Sequence, residues 1–170
     1  ISIEGWDLIR TEFVKSNLTF SPEFLRAETA LEDFKNTKHF MMGGDNVGLW
    51  SGVYIKAMGN ISISNASVAE LILTKYARNS FLALKVAYFN ELYDLCDQLE
   101  VDFETVRQYT IQDERIGESH TMVTDDRGFG GHCFPKDTKA FATLGKHCGT
   151  PLTILEQAIQ YNIQIRKDNV

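Results

Sequence analysis

The chain has 170 residues, of which 44% are hydrophobic and 24% charged, and its formal net charge is −6. This composition is typical of a globular protein, and the negative charge argues against a nucleic-acid or anionic-membrane surface, since both need basic patches. No apolar run reaches the ~18 residues of a membrane span, the start lacks the features of a signal peptide, and three cysteines without framework spacing fit a reducing compartment, so we expect a cytoplasmic protein.

Short strands and helices alternate in the first third of the chain. The pattern predicts, in order, a helix over Gly5–Ser16, strands at Leu18–Phe20 and His39–Met42, a helix over Val47–Met58 and a strand at Ile61–Ile63. Such alternation is typical of a parallel α/β sheet. Because three short strands make only a small sheet, residues 1–64 have the pattern of half a doubly wound domain.

From Asn65 onward the pattern is helical. Ser67-Val68-Ala69-Glu70 is a capping box, and neither Gly nor Pro follows it until Gly117. One helix is therefore predicted over residues 67–99, on the order of 50 Å long. The remaining predictions are a helix over Phe103–Ile111 capped by Asp102, a polar loop from Asp113 to Arg127, and a final helix from Pro151 to about Asn169.

The long helix carries two polar residues, Lys75 and Asn79, in an otherwise apolar stripe. The stripe repeats at spacings of four and three residues and consists of Val68, Ile72, Lys75, Asn79, Leu82, Val86, Phe89, Tyr93 and Cys96. A buried lysine is costly without a partner, so the pair indicates a polar pocket against this face. The alternative is a solvated stretch in which Lys75 extends to water.

A second side of the same helix is also apolar. It holds Leu71, Phe81, Leu84, Tyr88, Leu92 and Leu95. A helix that is apolar on several sides is buried on several sides. In a domain of this size, that pattern predicts a subunit interface.

A thiol follows a glycine-rich bend in the segment Gly128-Phe129-Gly130-Gly131-His132-Cys133-Phe134-Pro135-Lys136-Asp137. The glycines allow positive φ and a close approach of a ligand. Pro135 suits the first position of a helix that continues over Thr138–Lys146, which puts Cys133 at or just before its N-terminus. The positive end of that helix, with Lys136 nearby, favours the thiolate, and Asp137 is close enough to act as a base. The segment therefore predicts a catalytic nucleophile.

Two other interpretations of the cysteines stay open. Most intracellular cysteines are small buried hydrophobic residues, which is the expected state of Cys96 and Cys148 and the alternative for Cys133. His132-Cys133 and His147-Cys148 form two matching pairs, but neither has the two-residue spacing of common zinc sites. We expect no metal site.

Four segments occur in the order found in a known enzyme family. They are Ser21-Pro22-Glu23-Phe24-Leu25-Arg26; Ala69-Glu70-Leu71 with Lys75, Asn79 and Ala87-Tyr88-Phe89-Asn90-Glu91; Glu114-Arg115-Ile116-Gly117; and the Gly128 to Asp137 segment. The chain resembles the UDP-glucose/GDP-mannose dehydrogenase family from about Leu18 to its end, most specifically in the cysteine segment. It is most similar to the UDP-glucose branch, through Ala87 to Leu92 and Arg115-Ile116-Gly117.

The resemblance implies a fold in two parts. Residues 1–64 would be the C-terminal part of an NAD-binding Rossmann-like domain, with a partial parallel sheet. Residues 65–170 would be the helical central domain, which in the family forms a homodimer around one long helix, here residues 67–99. The Gly-rich dinucleotide fingerprint is absent from the sequence, and the family's nucleotide-binding third domain would begin where the chain ends.

The resemblance also implies a reaction. The family oxidises the C6 alcohol of a nucleotide sugar, UDP-glucose in this branch, to a carboxylate with two NAD. Cys133 would attack the intermediate aldehyde to give a thiohemiacetal, which is oxidised to a thioester and hydrolysed. Lys75 would stabilise the oxyanion, Asn79 and Asp137 would hold a water for proton transfer, and Glu23 would activate the hydrolytic water.

Further positions match ligand-binding positions of the family. The resemblance places substrate contacts on Phe24, Leu25, Arg115, Phe129 and Gly130, and a cofactor contact on Lys136. Arg115 would reach across the dimer to the substrate of the partner, and the glycine bend would pack against the sugar nucleotide.

The chain departs from the family pattern near its start and at the cysteine. A family Glu that lies near the nicotinamide is replaced by Ala27, so either the neighbouring Glu28 substitutes or this contact is lost. The family's Ser-Thr pair for proton transfer would sit at or before Ile1. His132 occupies a position that is often aromatic.

These observations favour a portion of an NAD-dependent dehydrogenase that acts on UDP-glucose. The alternatives are a catalytically silent dimerisation module that keeps the central fold, and an unrelated thiol enzyme. Retention of Cys133, Lys75, Asn79, Asp137 and Glu23 favours an enzyme, because decay would first remove costly polar residues. We expect the 170 residues alone not to reduce NAD with UDP-glucose.

Overall fold

The computed structural model describes residues 1–166, apart from the side chain of Ala27, and the chain divides into two compact units, Ile1–Lys75 and Tyr76–Val170. The first unit contains α1 (Ile3–Glu12), β1 (Thr19–Phe20), a 3₁₀ turn (Ala27–Thr29), α2 (Ala30–Asn36), β2 (His39–Gly44), α3 (Val47–Met58) and β3 (Ser62–Asn65). Helix α4 (Val68–Gln98) begins in the first unit and continues into the second, which also holds α5 (Phe103–Ile111), α6 (Cys133–His147) and α7 (Thr153–Ile165). The predicted fold class, a small α/β part followed by helices, is confirmed.

A three-stranded sheet in the order β1-β2-β3 forms the centre of the first unit. Strands β2 and β3 are parallel, with His39 opposite Ser62. Phe40 and Met42 from β2 are buried, and the ring of Phe40 makes an edge contact with Tyr54 of α3. This apolar contact holds α3 against the sheet, as the alternating pattern predicts.

The prediction of a parallel sheet is wrong for the first strand. β1 pairs antiparallel with the end of β2, and Thr19 lies opposite Gly44. Asp45, directly after β2, donates its backbone N–H to Leu18 O at 2.7 Å, and its carboxylate accepts from Leu18 N at 3.1 Å. These bonds fix the start of β1 beside the end of β2, so the two strands run in opposite directions and the sheet is mixed.

Two helices of the first unit differ from the sequence prediction. α1 begins at Ile3 rather than Gly5, because the Ser2 hydroxyl caps it by accepting from Gly5 N at 3.0 Å, and it ends at Glu12 rather than Ser16. α2 was not predicted. Its seven residues contain no buried side chain, so the sequence carries no apolar stripe to reveal it.

Helix α4 spans 31 residues, within one residue of the predicted bounds at each end. Its capping box is formed: Ser67 N donates to Glu70 Oε2 at 2.8 Å, and Glu70 N donates to Ser67 Oγ at 3.2 Å. Within residues 1–166 neither α4 nor any other helix is both long and apolar enough to cross a membrane. Its predicted inner stripe is buried at Val68, Ile72, Phe89 and Cys96 and exposed at Tyr93, and its other members are half-buried. On the second side Leu71 is buried, whereas Phe81, Tyr88 and Leu95 are exposed.

The second unit packs α4 against α7 and the segment that leads to α6. Phe129 lies in a core cluster with Ala83 and Ala87, and Ala158 and Ile159 of α7 pack on it. α5 begins as predicted, with the Asp102 carboxylate accepting from Thr105 N at 2.8 Å. α7 runs to Ile165, and the predicted helix end near Asn169 lies outside the described residues.

Candidate active site

Cys133 is the first residue of α6, as its position after the glycine bend predicts. Its side chain is exposed, and Cys96 is buried as expected. The expectation of a buried Cys148 is wrong, because this residue is the C-cap of the same helix and is exposed. Pro135 is the third helical residue rather than the first, a position at which its missing N–H still costs no helical hydrogen bond. The positive end of the α6 dipole therefore acts on Cys133 and the negative end on Cys148.

Asp137 lies buried in the first turn and a half of α6 and accepts hydrogen bonds from two predicted site residues. Asn79 Nδ2 of α4 donates to Asp137 Oδ2 at 2.6 Å, and the ammonium group of Lys136 donates to Asp137 Oδ1. The Asp137 side chain is only 1% exposed. Burial opposes the charge on Lys136, but its hydrogen bond to Asp137 and the charges of Asp137 and Cys133 raise its pKa overall. The second unit thus brings Asn79, Asp137 and Lys136 into one cluster.

Lys75 and Glu23 form the second pair of predicted site residues, within the first unit. Lys75 Nζ lies 3.1 Å from Glu23 Oε1, and the Lys75 side chain is 22% exposed. Glu23 Oε2 accepts from Leu25 N at 2.9 Å, which ties the carboxylate to its own segment. Phe24 and Leu25 are half-buried. The partly buried lysine in the apolar stripe of α4 therefore has the partner that its cost requires.

Arg115 is exposed at the surface of the second unit. It makes a two-pronged contact with Asp113, whose carboxylate also accepts from Arg115 N at 3.0 Å. Its turn is held from α4, because Lys85 Nζ donates to Ile116 O at 2.7 Å and to Gly117 O at 2.9 Å. Burial lowers the pKa of Lys85, and burial with the Lys85 charge lowers that of His120 in the same loop.

The glycine bend before Cys133 is held by two buried asparagines to which sequence reasoning assigned no role. Asn90 Oδ1 of α4 accepts from Gly128 N at 3.0 Å and from Arg127 Nε at 2.9 Å. Asn162 Oδ1 of α7 accepts from Phe129 N at 2.6 Å, and its Nδ2 donates to Phe129 O at 2.9 Å. Because the Phe129 ring is buried, an approaching ligand meets the backbone of the bend rather than this ring.

Arg127, directly before the bend, has a left-handed φ of 58° and is secured through its side chain. Its Nη2 donates to Asp94 Oδ1 at 2.6 Å, and its guanidinium lies 4.9 Å from the centre of the Tyr93 ring. Tyr161 of α7 donates to the same carboxylate at 2.8 Å. Burial and this hydrogen bond raise the pKa of Tyr161. These contacts offset the strain of a non-glycine residue at positive φ.

Two residues at the departures from the family pattern, Glu28 and His132, are exposed. Ala27 begins the 3₁₀ turn, and Glu28 beside it is exposed. His132 is the N-cap residue of α6 but its side chain makes no capping hydrogen bond. No group of three or more His, Cys, Asp or Glu side chains that could hold a metal occurs between residues 1 and 166.

The chain is similar to curated and solved proteins over most of its length. It is 35% identical over 160 residues to the UDP-glucose 6-dehydrogenase of Rickettsia typhi, covering 91% of this chain and 36% of that protein. It is 32% identical over 145 residues to the UDP-glucose 6-dehydrogenase TuaD of Bacillus subtilis, covering 84% and 31%. The chain thus spans about a third of the length of the curated relatives it matches.

The fold of the chain matches a solved structure of the same kind. The UDP-glucose dehydrogenase of Pyrobaculum islandicum superposes with a TM-score of 0.77 at 35% identity, over 87% of this chain and 34% of that one. The sequence profile of the UDP-glucose/GDP-mannose dehydrogenase family, central domain, matches residues 67–164, more than half of the chain. The sequence and the fold of the chain both match this family. The chain therefore belongs to the UDP-glucose/GDP-mannose dehydrogenase family.

Proposed function

We propose that this chain is the part of an NAD-dependent UDP-glucose 6-dehydrogenase that carries its catalytic thiol. The observation that carries the proposal is the position of Cys133, exposed at the first residue of α6 and one turn before the buried Asp137, which is hydrogen-bonded to Asn79 of α4. Helix N-termini favour thiolates, and a buried carboxylate that is hydrogen-bonded to an amide is poised to orient a water. Family membership supports the sugar-nucleotide substrate.

In the proposed reaction the thiolate of Cys133 retains the half-oxidised sugar. The C6 alcohol first loses a hydride and a proton to give an aldehyde. Cys133 Sγ then bonds to the aldehyde carbon, and loss of a second hydride and a proton converts the thiohemiacetal into a thioester. Water attacks the thioester, the carbon–sulfur bond breaks, and a carboxylate and the free thiol are released. Covalent attachment keeps the aldehyde from escaping between the two oxidations.

The two polar clusters receive different roles in this scheme. Lys75 stabilises the negative oxygen that develops on the aldehyde carbon, and Glu23, whose carboxylate holds Lys75, accepts a proton from the hydrolytic water. Asn79 and Asp137 hold a water that transfers protons to and from the sugar oxygen. These assignments follow the family motif residue by residue.

The cofactor contact that we assign in this chain is Lys136. NAD, when bound, supplies the hydride acceptor for both oxidations. Lys136 can reach a polar or anionic ligand because its side chain is 49% exposed, although its ammonium group also pairs with the buried Asp137. Phe24, Leu25 and the backbone at Gly130 are the proposed substrate contacts, with Arg115 binding the substrate of a partner. Phe129, which sequence reasoning included, is 3% exposed with both backbone groups bonded to Asn162, so it supports this contact from behind. Three free cysteines fit a reducing compartment, and we place the protein in the cytoplasm.

A homodimer through α4 is the second part of the proposal. Phe81, Tyr88 and Leu95 recur every seven residues along this helix and are 67%, 58% and 54% exposed. A groove of about 640 Å³ includes Tyr88 of this row in its lining. Its other lining residues are apolar or aromatic, such as Leu84, Ile154 and Tyr161, and polar, namely Glu91, Gln157, Gln160 and Gln164. A row of exposed large apolar side chains with a groove of mixed character is typical of an interface between subunits. A second copy of the chain supplies a matching row.

Charge introduced into this row is expected to separate the dimer. At micromolar concentration the wild-type chain should sediment as a dimer, and the Tyr88→Glu variant as a monomer, because a carboxylate would be buried without a partner. Tyr109→Glu is the matched control, since Tyr109 of α5 is 70% exposed and lies outside the row. A soluble wild-type monomer at this concentration would contradict the dimer.

The proposed function predicts unequal reactivity of the two exposed cysteines. Because Cys133 and Cys148 lie at opposite ends of α6, the helix dipole favours reaction of Cys133 and disfavours that of Cys148. Alkylation by iodoacetamide at pH 7, followed by peptide mass spectrometry, should therefore modify Cys133 at least about fivefold faster than Cys148.

The same measurement separates the two candidate functions. Selective alkylation of Cys133 in the wild-type chain supports a preorganised nucleophile. If the preference for Cys133 persists in an Asp137→Asn variant, its cause is the helix rather than the Asp137 carboxylate. Equal rates for Cys133 and Cys148 in the wild-type chain would favour the catalytically silent dimerisation module.

A further inference from the structure

The backbone directly before the catalytic segment is held by side chains from two distant helices. Arg127 O accepts from Arg166 Nη1 at 3.2 Å, Gly128 N donates to Asn90, and both polar groups of Phe129 bond to Asn162. The residues that provide these contacts lie on α4 and at the end of α7. The bend therefore takes its shape from tertiary contacts and not from local turn bonds alone.

The side-chain amide of Asn162 bonds to both backbone polar groups of Phe129. Its Oδ1 accepts from the Phe129 N–H at 2.6 Å, and its Nδ2 donates to the Phe129 carbonyl at 2.9 Å. Asn162 is 7% exposed and Phe129 3%. Without this amide, two buried backbone groups would lose their partners, and buried unpaired groups are strongly disfavoured. An uncharged side-chain amide offers a donor and an acceptor on separate neighbouring atoms, so it can bond to the N–H and the C=O of one residue at the same time.

The same helix end explains two glycines of the segment. A Cβ on Gly128 would overlap Asn162 Oδ1, and a Cβ on Gly130 would overlap the guanidinium group of Arg166. Gly131 has open space around it, and its φ of 72° is the reason for a glycine there. Gly128 and Gly130 thus leave space for Asn162 and Arg166, and Gly131 supplies the positive φ that the chain adopts shortly before Cys133.

We propose that Asn162 is a positioning residue for Cys133, an inference that rests on the proposed function. Phe129 precedes Cys133 by four residues, and two glycines that are free to rotate lie between them. Anchoring Phe129 removes that freedom on one side, and the Asn79–Asp137 pair fixes α6 on the other. Asn162 therefore sets the direction from which the first turn of α6 and its thiol meet a substrate, although it touches neither.

The test compares Asn162→Ala with two further variants of the 170-residue chain. Asn162→Asp keeps an acceptor for the Phe129 N–H, but it removes the donor to the Phe129 carbonyl and places a carboxylate oxygen next to that carbonyl oxygen. Leu155→Val, at a buried position of the same helix, loosens the packing of α7 without touching the bend. Each chain is examined below its melting temperature by two measurements: hydrogen exchange at the Phe129 amide, and the ratio of iodoacetamide alkylation rates of Cys133 and Cys148.

Asn162→Ala is expected to speed exchange at Phe129 about tenfold, the change that loss of its hydrogen bonds brings to local opening. It should also lower the alkylation ratio at least about threefold, toward that of two ordinary exposed thiols. Asn162→Asp should change both in the same direction, and Leu155→Val neither. If either the exchange rate at Phe129 or the alkylation ratio of Asn162→Ala stays within twofold of the wild-type value, the positioning role is overturned.

The two proposals fail in different ways. A wild-type alkylation ratio near one contradicts the proposed function, and the positioning role falls with it. A wild-type preference for Cys133 that persists unchanged in Asn162→Ala leaves the proposed function standing and removes only the role of Asn162.

Discussion

Replacement of Gly128 with alanine is expected to lower the free energy of unfolding by about 3 kcal/mol, as the sum of two effects. Gly128 has a φ of 57°, which costs an alanine roughly 1 kcal/mol. The new Cβ would also overlap Asn162 Oδ1. Since Asn162 is itself fixed by two bonds to Phe129, it cannot move aside without breaking them. Urea unfolding at constant m-value measures the loss.

Gly131→Ala is the matched control for this variant. Gly131 also has a positive φ, 72°, but no atom lies within 4 Å of the place where a Cβ would stand. Its replacement should cost only the backbone term, roughly 1 kcal/mol. Equal destabilisation by the two alanines would mean that Asn162 does not crowd Gly128, and would contradict the packing described for the bend.

Replacement of Arg107 with alanine is expected to lower the free energy of unfolding by about 2 kcal/mol, because it removes a buried side chain and a partner of the buried Thr121 hydroxyl. Its ion-pair partner, Glu104, is 50% exposed and adds little to this loss. The Arg107 side chain is 3% exposed and bonds to both carboxylate oxygens of Glu104, at 2.8 and 2.6 Å. Its Nη1 also donates to the buried Thr121 hydroxyl at 2.9 Å, which ties α5 to the loop before the glycine bend.

Arg115→Ala is the control, because Arg115 forms a similar two-pronged pair but is 89% exposed. Exposed pairs contribute little, so this variant should unfold at nearly the same urea concentration as the wild type. Comparable losses from the two variants would show that burial of Arg107 does not strengthen its pair.

The stability that the Arg107–Glu104 pair contributes is also expected to depend on pH. Hydrogen bonds from Arg107, and next from Gln108, lower the pKa of Glu104 from 4.5 to about 2. A lowered carboxyl pKa stabilises the folded chain above pH 4.5, and this contribution is lost as the pH falls through about 2. The stability difference between wild type and Arg107→Ala should therefore narrow over that range. If the stability difference does not change with pH, the contribution of the Arg107–Glu104 pair does not depend on the charge of Glu104.

Strong periodicity made the helical part of the fold predictable. The 31-residue α4 has a capping box and an uninterrupted stripe, and its bounds were predicted within one residue. The short elements carry no such signal. α2 has no buried residue, and the direction of β1 depends on bonds between Leu18 and Asp45, which lie 27 residues apart. Sequence patterns indicate which face of a helix or strand is buried, but they do not indicate whether two strands pair parallel or antiparallel.

Misfits in an apolar stripe located two groups of the candidate site. Lys75 and Asn79 interrupt the inner stripe of α4, and both have the polar partners that such a position requires. Asn162 gives the same signal, because it follows the buried Leu155 by seven residues on α7. It was missed because its partner is a backbone group of Phe129, which no side-chain pattern marks. Side-chain chemistry alone therefore finds the reactive groups more readily than the residues that hold them.

The anchoring of the glycine bend has a consequence for the order of events during synthesis. Asn90 and Arg127 are 37 positions apart, and Phe129 and Asn162 are 33 apart. Contacts of such separation form late, because the intervening chain must first be ordered. A nascent chain that has just emerged past Cys133 thus has its first anchor, Asn90, but still lacks Asn162. The thiol reaches its final geometry only after α7 has left the ribosome and docked, so its reactivity reports on completed folding.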